Sequence, residues 1–263
     1  MSETVPNKFQ AGQLILIDKP LTWTSFDVVN KVRWLIRKEY NLKKIKVGHA
    51  GTLDPLATGL LILCTGKFTK KIEELQGQEK EYTGVITLGG TTASYDLEKA
   101  VDIEYPTEHI IEELIKETAA TFIGEQEQTA PMHSAKKVDG KRAYEYAREG
   151  EEVQLKSNRI SIKEFDVEIC DISEFSQIQK TDSITGAEIG MKAKINQEKP
   201  YEKGIHFKFR IVCSKGTYIR AIARDFGEKL NSGGHLSQLK RTKIGEFKIE
   251  DAIKVEETSQ LFS

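Results

Sequence analysis

A stretch around a single aspartate has the composition of a catalytic loop. Residues 48–59 read GHAGTLDPLATG, so glycines stand on both sides of an Asp-Pro pair. Glycine lets the backbone turn sharply and approach a ligand closely. Asp54 is the only carboxylate between Glu39 and Glu73, which makes it the candidate catalytic group of this loop. The alternative interpretation is a turn-capping aspartate before proline, because Asp-Pro turns are common. His49 is by default an ordinary loop histidine with satisfied hydrogen bonds.

A second stretch offers a partner for such a carboxylate. Residues 213–220 read CSKGTYIR and place Tyr218 and Arg220 just beyond a strand-to-helix turn. An arginine stays charged, and beside a buried aspartate it lowers the pKa of that carboxyl and keeps it ionised. The alternative is a capped helix start with a surface arginine, since Ser and Thr favour such positions.

Several other chemistries are excluded by spacing. Gly66-Lys67 suggests a phosphate-binding loop, but position 61 is Leu61 where that motif needs glycine, and Phe68 follows the lysine. No nucleophile-elbow motif, zinc-site spacing or dinucleotide fingerprint is present. We therefore expect no cofactor and no metal. The three cysteines are far apart, which predicts reduced, structural thiols in a cytosolic protein.

Charge is distributed unevenly along a nearly neutral chain. The formal net charge is -1, yet 22 of the 39 basic residues and only 4 of the 40 acidic ones fall in the segments 31–46, 133–148, 203–224 and 236–248. If these segments meet, they form a basic surface suited to nucleic acid. Four separate solvated faces are the alternative. The N-terminus is polar and no run of eighteen apolar residues occurs, so no membrane segment is expected.

Hydrophobic spacing predicts the elements that position these residues. Strands and helices mix without strict βαβ alternation, which favours an α+β fold. We expect a structured loop at 47–59, a loop insertion at 124–142 followed by a short helix to about Arg148, and a polar surface excursion at 172–188. The predicted strands are 14–17, 59–64, 82–88, 159–170, 205–213 and 244–249. The predicted helices are 68–75, 107–119, 217–230 and one that starts at Ser25 as its N-cap.

Seven motifs, in order along nearly the whole chain, resemble those of the TruB-type tRNA pseudouridine-55 synthases. They are Asp18-Lys19-Pro20 with Thr24-Ser25, the loop 48–59, Lys80-Glu81-Tyr82, Leu88-Gly89 with Thr92, Ser94 and Asp96, the segment 131–136, the segment 214–220, and Gly234-His235-Leu236 through Leu239-Lys240-Arg241. The chain departs from the family pattern at Ala50, Ala130 and His133, and no glycine follows Asp96. Only 13 residues follow Glu250, so we do not expect the extra RNA-binding domain of the PUA type that many relatives carry.

The resemblance implies an α+β pseudouridine synthase fold, with a mixed, largely antiparallel sheet flanked by helices and loops around a central cleft. It implies a catalytic domain at 1–250, an insertion at about 124–148 that grips RNA, and a short tail at 251–263. The expected enzyme is a cytoplasmic, monomeric isomerase. It acts on uridine 55 in the T-loop of tRNA, contacts the T-arm and needs no cofactor.

The resemblance also implies residue roles. The implied catalytic residues are Asp54, which is the catalytic carboxylate, Arg220, which pairs with it, and Tyr82, which stacks on the flipped uracil and is placed to help remove the C5 proton. Breaking the N1–C1′ bond and joining C5 to C1′ requires the base to leave its stack. Asp54 attacks C6 or C1′, or supports an elimination route; the resemblance leaves these open. The expected substrate-binding residues are His49, which fills the space that the base vacates, Tyr218 and Leu239, which line the pocket, and Lys19, Asp96, Lys136 and Arg241.

Rival interpretations come from other classes of protein. A non-catalytic RNA-binding or RNA-folding module would keep the basic segments without needing Asp54 and Arg220. A glycosidase needs a second acid beside Asp54, which the loop does not offer. A synthase working inside a guide-RNA complex would need long basic extensions and partner surfaces, which are absent from this sequence.

Overall fold

The computed structural model describes residues 7–134, 136–151, 153–174 and 201–262. The helices are α1 Lys8–Ala11, α2 Ser25–Glu39, α3 Ile72–Gly77, α4 Glu112–Ala120, α5 Ala143–Glu149 and α6 Ile219–Lys229. The strands are β1 Leu14–Lys19, β2 Val47–His49, β3 Ala57–Thr65, β4 Lys80–Leu88, β5 Gly90–Thr92, β6 Val101–Glu104, β7 Gly124–Gln128, β8 Lys137–Val138, β9 Lys141–Arg142, β10 Asn158–Cys170, β11 Ile205–Cys213, β12 Gly234–Ile244, β13 Phe247–Lys248 and β14 Ile253–Lys254. Three 3-10 segments are Gly66–Lys71, Ile249–Asp251 and Val255–Phe262.

These residues divide into two compact units. The first unit holds the described residues up to Lys80 together with 240–262. The second unit holds the described residues of 81–174 and 201–239. β12 begins in the second unit and ends in the first. None of the helices in the described ranges is long and apolar enough to cross a membrane.

The first unit is built on β3, which is buried along its whole length. β1 and β2 pair with it in antiparallel register, and β14 pairs with β1 in parallel. Alternate residues of β3 enter two separate cores: Leu61 and Leu63 pack with the apolar side of α2, whereas Leu60 and Ile62 face Leu75 and Ile244. Burial on both faces explains why the strand is a continuous apolar run rather than an alternating one.

The second unit packs an aromatic core between its sheet and α6. β10 pairs antiparallel with β11 on one edge and with β7 on the other. Phe226 of α6 lies 4.9 Å from Phe207, measured between ring centroids, and stacks on Phe122 at 5.6 Å. Offset and edge-to-face arrangements at these distances stabilise a core beyond simple burial of area. This core fixes α6, the helix that carries Arg220 in its first turn.

Most predicted elements are confirmed, with shifted ends. The predicted strands at 14–17, 59–64, 82–88, 159–170 and 205–213 lie within or match β1, β3, β4, β10 and β11. The helix predicted at 217–230 is α6, and the short helix predicted to end near Arg148 is α5. The segment 68–75 is helical but starts as a 3-10 turn before α3. Of the surface excursion predicted at 172–188, residues 175–188 lie outside the described residues.

Some predictions were wrong, for identifiable reasons. The N-cap of α2 is Thr24, whose hydroxyl accepts a hydrogen bond from the Asp27 N–H, because the adjacent Ser25 hydroxyl is used elsewhere. Residues 107–111 are not helical; α4 starts only at Glu112, and Ile111, 57% exposed, does not belong to its buried side.

Three further predictions failed where local pattern is weak. The segment 124–142 was predicted as a loop, but 124–128 is the polar edge strand β7, which has no apolar alternation because it is mostly exposed. The structured loop at 47–59 contains β2 and the start of β3. The strand predicted at 244–249 is the end of β12, then a turn at Gly245, then β13. Within 251–263, the predicted short tail, β14 pairs with β1 and Val255 is buried in the core. The limits of the catalytic domain at 1–250 and of the tail at 251–263 stay a prediction.

Candidate active site

The loop that carries Asp54 connects two paired strands of the first unit. His49 of β2 lies opposite Leu63 of β3, and the Ala50 N–H donates to the Ile62 carbonyl at 2.9 Å. The chain then leaves the sheet and returns through a turn in which the Ala57 N–H donates to the Asp54 carbonyl at 3.0 Å. The Asp54 side chain is half-buried. Strand pairing therefore fixes both ends of a short loop that presents one carboxylate.

Ser25 holds the residue before Asp54. Its hydroxyl accepts a hydrogen bond from the Leu53 N–H at 2.8 Å and donates one to the Leu53 carbonyl at 3.1 Å. Both residues are buried, so neither bond competes with bulk water. A buried backbone group that loses its partner costs about 1–3 kcal/mol. The first turn of α2 thus fixes the backbone on the N-terminal side of Asp54, a role that the sequence alone did not suggest.

The segment before α2 holds the residue after Asp54. The Thr22 N–H donates to the Pro55 carbonyl at 2.8 Å. The Lys19 ammonium, on a fully buried side chain, donates to the carbonyls of Trp23 at 2.6 Å, Pro20 at 3.1 Å and Pro55 at 3.5 Å. Lys19 therefore anchors the loop through the backbone carbonyl of Pro55. Its predicted contact with the substrate stays a prediction.

Burial changes the titration of Lys19. Desolvation lowers its pKa to about 7, while the negative charge of Asp54 opposes that shift and the positive charge of Arg241 adds to it. The attraction of Asp54 favours the charged form of Lys19. The three carbonyl contacts also suit an ammonium rather than a neutral amine.

Arg241 of β12 also contacts this loop. Its guanidinium, on a side chain only 1% exposed, donates to the Leu60 carbonyl at 2.8 Å and to the Gly51 carbonyl at 3.1 Å. Its charge, after the larger effect of burial, lowers the pKa of His49. The neutral imidazole is therefore favoured at neutral pH. Within the first unit the structure thus gathers Lys19, His49, Asp54 and Arg241 around one loop.

Close packing at the end of the loop requires a glycine. Gly59 has φ +99°, a conformation that residues with a Cβ rarely adopt. A Cβ built at Gly59 would lie 2.3 Å from the Arg241 carbonyl oxygen. Any side chain here would strain the backbone and push β3 away from the strand that carries Arg241.

In the second unit, Arg220 is buried among oxygen acceptors. Its guanidinium donates to the His133 carbonyl at 2.9 Å and to the Ser94 carbonyl at 3.2 Å, and it lies 3.5 Å from the Asp96 carboxylate. Asp96 also accepts hydrogen bonds from the Ser94 hydroxyl at 2.6 Å and the Glu98 N–H at 3.0 Å. Arg220 thus connects the motif around Asp96 to the insertion. Its predicted pairing with Asp54 joins residues of different units and stays a prediction.

The remaining predicted residues also lie in the second unit. Tyr82 of β4 and Leu239 of β12 are 9% and 8% exposed. The backbone of Tyr218 is fixed by Gln128, whose side-chain amide accepts from the Tyr218 N–H at 2.8 Å and donates to its carbonyl at 3.1 Å. The Lys136 ammonium donates to the Lys156 carbonyl and, at 3.0 Å, to the Asn158 side chain. Gln128 is not among the residues predicted from the sequence, and no local pattern marks it.

Within the described ranges, no group of three or more His, Cys, Asp or Glu side chains is placed to hold a metal ion. Cys64, Cys170 and Cys213 are buried and form no disulfide. At the candidate catalytic loop, anchored backbone groups hold a carboxylate near the cationic groups of Lys19 and Arg241.

Comparison with known proteins assigns this arrangement to a class. Residues 37–183 match the model of the TruB family pseudouridylate synthase N-terminal domain, and residues 220–262 match that of the tRNA pseudouridylate synthase B C-terminal domain. The structure is similar to that of a Cbf5-Nop10-Gar1 complex, with a TM-score of 0.60 and 24% identity over 97% of this chain. The chain spans about half, 55%, of the length of that protein, and the likeness shows the fold. The α+β fold with a mixed, largely antiparallel sheet is confirmed as that of the pseudouridine synthases.

Curated relatives are much closer in sequence. A protein named tRNA pseudouridine synthase B from Phocaeicola vulgatus is 50% identical over 248 residues, which cover 94% of this chain and 92% of the relative. A protein of the same name from Flavobacterium johnsoniae is 49% identical over 251 residues, covering 95% and 96%. The chain belongs to the TruB family of pseudouridylate synthases.

Proposed function

We propose that the protein isomerises uridine 55 in the T-loop of tRNA to pseudouridine, with Asp54 as its catalytic carboxylate. Membership of the family supports pseudouridine formation, and the names of the relatives support tRNA as the substrate. The observation that carries the assignment of Asp54 is the way its loop is held. Ser25 fixes Leu53 and the 19–22 segment fixes Pro55, so the residues on both sides of Asp54 are anchored.

The chemistry needs an ionised carboxylate in a fixed position. The N1–C1′ bond breaks, the uracil turns, and C5 bonds to C1′; the C5 proton leaves and N1 gains one, so the product is an isomer of the substrate. Asp54 attacks C6 or C1′, or assists elimination, and all three routes use its anionic form. Lys19 and Arg241 both donate hydrogen bonds to backbone carbonyls of the loop that carries this carboxylate. No external redox partner is needed because the reaction is an isomerisation.

The other roles follow the family resemblance. Tyr82 stacks on the flipped base, His49 fills the gap in the RNA stack, Tyr218 and Leu239 line the pocket, and Arg220 pairs with Asp54. Tyr82 is also placed to help remove the C5 proton, although a free phenol, with a pKa of about 10, is a weak base at neutral pH. The insertion at 124–148 clamps the T-arm, and the enzyme works as a cytoplasmic monomer.

Mapping pseudouridine on unmodified tRNA tests the proposal. After incubation with purified protein, we expect one new pseudouridine, at position 55, and none in a transcript in which cytidine replaces that uridine. Modification at another position only, or none at all under conditions where the RNA binds, would overturn the assignment.

We expect an isolated T-arm hairpin to be modified about as efficiently as whole tRNA. The residues assigned to chemistry and base capture belong to the segments that resemble the catalytic motifs, and single-stranded loop bases carry most of the specificity in folded RNA targets. The comparison is kcat/KM for both RNAs at one salt concentration. A loss above roughly a hundredfold on the hairpin, about 2.7 kcal/mol, would show that the enzyme needs more of the tRNA.

Replacing Ser25 by alanine should lower kcat by at least about tenfold while tRNA affinity stays within about threefold. The change removes both hydrogen bonds to Leu53 and lets the backbone before Asp54 shift; small misplacements of catalytic groups cost large factors in rate. Ser25→Thr keeps the hydroxyl and should recover part of the rate. Ser259→Ala, at an exposed position, is the matched control. An unchanged kcat in a folded Ser25→Ala protein would remove Ser25 from the positioning of Asp54.

A further inference from the structure

The outward side of α2 carries aromatic rings and cations together. Phe26 and Trp34 are 58% and 53% exposed, although large aromatic side chains are usually mostly buried. Both project from the side opposite the buried residues Val28, Val32 and Ile36. We call this surface the outer face of α2, and its residues are Phe26, Asp27, Asn30, Lys31, Arg33, Trp34, Arg37 and Lys38. The Asp27 carboxylate accepts hydrogen bonds from the N–H and hydroxyl of Thr24 at the start of the helix.

The cations of the outer face surround its rings. The ammonium groups of Lys38 and Lys31 lie 5.1 and 5.8 Å from the centroid of the Trp34 ring, and the Arg33 guanidinium carbon lies 5.9 Å from that of Phe26. The following segment adds the exposed Lys43 and Lys44. Interleaved aromatic and cationic side chains are the arrangement that single-stranded nucleic-acid sites use, with rings for bases and cations for phosphates.

These cations differ from those of another basic segment of the chain, 203–224. There, Arg210 is paired with Glu81, Glu164 and Asp166, Lys203 with Glu104, and Lys208 with Glu174. In the part of the chain that the structure describes, no salt bridge involves a cation of the outer face. A polyanion can therefore approach α2 without displacing an internal carboxylate.

The outer face begins next to the candidate catalytic loop. Ser25, the first residue of α2, is hydrogen-bonded to Leu53, and Phe26 follows it on the outer face. The Arg33 guanidinium donates to the Val47 carbonyl at 3.0 Å, which ties the middle of the helix to the strand that enters the loop. A helix of 15 residues extends the surface by about 22 Å from that point.

We propose that the outer face of α2 binds the phosphate backbone of the substrate RNA and stacks one unpaired base on Trp34. The inference rests on the proposed function, which brings RNA to Asp54, and it adds a binding surface outside the catalytic loop and the insertion. Seven basic residues and one acidic residue between 31 and 46 supply the charge complementarity. This local charge accounts for RNA binding by a chain whose net charge is only -1.

Charge removal tests the phosphate contact. In Lys31→Gln/Arg37→Gln/Lys38→Gln, we expect the Kd for tRNA to rise at least about tenfold, and the slope of log K against log salt to become less steep by about 2 to 3. Arg33 is left intact because it holds Val47. The matched control is Lys67→Gln/Lys70→Gln/Lys254→Gln, which removes three exposed charges elsewhere in the first unit and should leave the slope unchanged.

Ring removal tests the stacking contact. Trp34→Ala should raise the Kd at least about fivefold, whereas Trp34→Phe should keep most of the affinity because it keeps a ring. Unlike the charge variant, Trp34→Ala should leave the salt slope close to that of the wild type. Because Trp34 is more than half exposed, neither change should shift the melting temperature by more than about two degrees.

The outcomes separate this inference from the proposed function. If the wild-type protein forms no pseudouridine in tRNA, the proposed function fails. If the wild type modifies tRNA while the charge variant and Trp34→Ala keep the wild-type Kd, KM and salt slope, the outer face does not bind RNA and this inference is overturned. Repeating the titrations with the T-arm hairpin locates the contact. If the variants lose affinity equally for the hairpin and for whole tRNA, the T-arm contacts α2. If they lose affinity only for whole tRNA, another part of the tRNA contacts α2.

Discussion

Asp54→Asn is expected to abolish pseudouridine formation while leaving tRNA affinity within about tenfold, a margin of roughly 1.4 kcal/mol. Asparagine has the size of aspartate but lacks the anionic carboxylate that all three routes require. The loop should keep its shape, because the hydrogen bonds from Ser25 to Leu53 and from Thr22 and Lys19 to Pro55 all remain in this variant. The rate is measured under single-turnover conditions, either as release of the C5 hydrogen or by mapping of the modified base. Affinity is measured by titration of labelled tRNA.

The matched control for this change is Asp251→Asn, which neutralises an exposed aspartate of the same unit and should be fully active. A melting curve for each variant separates loss of folding from loss of chemistry. Turnover of Asp54→Asn within a few-fold of the wild type would remove Asp54 from the mechanism. It would also restore the alternative that Asp54 merely caps a turn.

Arg220→Lys should reduce kcat/KM by at least about a hundredfold. The planar guanidinium reaches the His133 and Ser94 carbonyls and the Asp96 carboxylate at once, which a single ammonium group does not reproduce. Asp96 is only 6% exposed, so a weakened partner leaves a buried charge poorly compensated. We therefore expect a lower melting temperature as well as a lower rate. Arg159→Lys, an exposed exchange of the same kind, should change neither.

Asp96→Asn separates the two roles assigned to Arg220. If Arg220 acts chiefly through its contacts in the second unit, Asp96→Asn should reproduce most of the loss. If its pairing with Asp54 dominates, Asp96→Asn should keep substantially more activity than Arg220→Lys. A near-normal rate for Arg220→Lys, in a fully folded protein, would show that Arg220 is not the partner of Asp54.

The sequence by itself determined the local features of this protein. The apolar run at 59–64 indicated a strand, and the spacing of Val28, Val32 and Ile36 indicated an amphipathic helix, because burial imposes such patterns within a few residues. The glycines, the isolated carboxylate and the seven ordered motifs predicted the candidate catalytic loop and the family, and the family is confirmed. The fold class followed from the same information.

Only the tertiary structure decided what each polar side chain does. Ser25 and Thr24 are both suited to cap a helix. Ser25 does not cap α2, because its hydroxyl is hydrogen-bonded to the backbone of Leu53, 28 positions along the chain. The role in substrate binding that the family resemblance implies for Arg241 stays a prediction, and the structure adds that its guanidinium donates to the Leu60 carbonyl, 181 positions away. Hydrogen bonds between residues so far apart leave no periodic trace in the sequence. Periodicity records which face of an element is buried, and it does not record which distant group a buried donor meets.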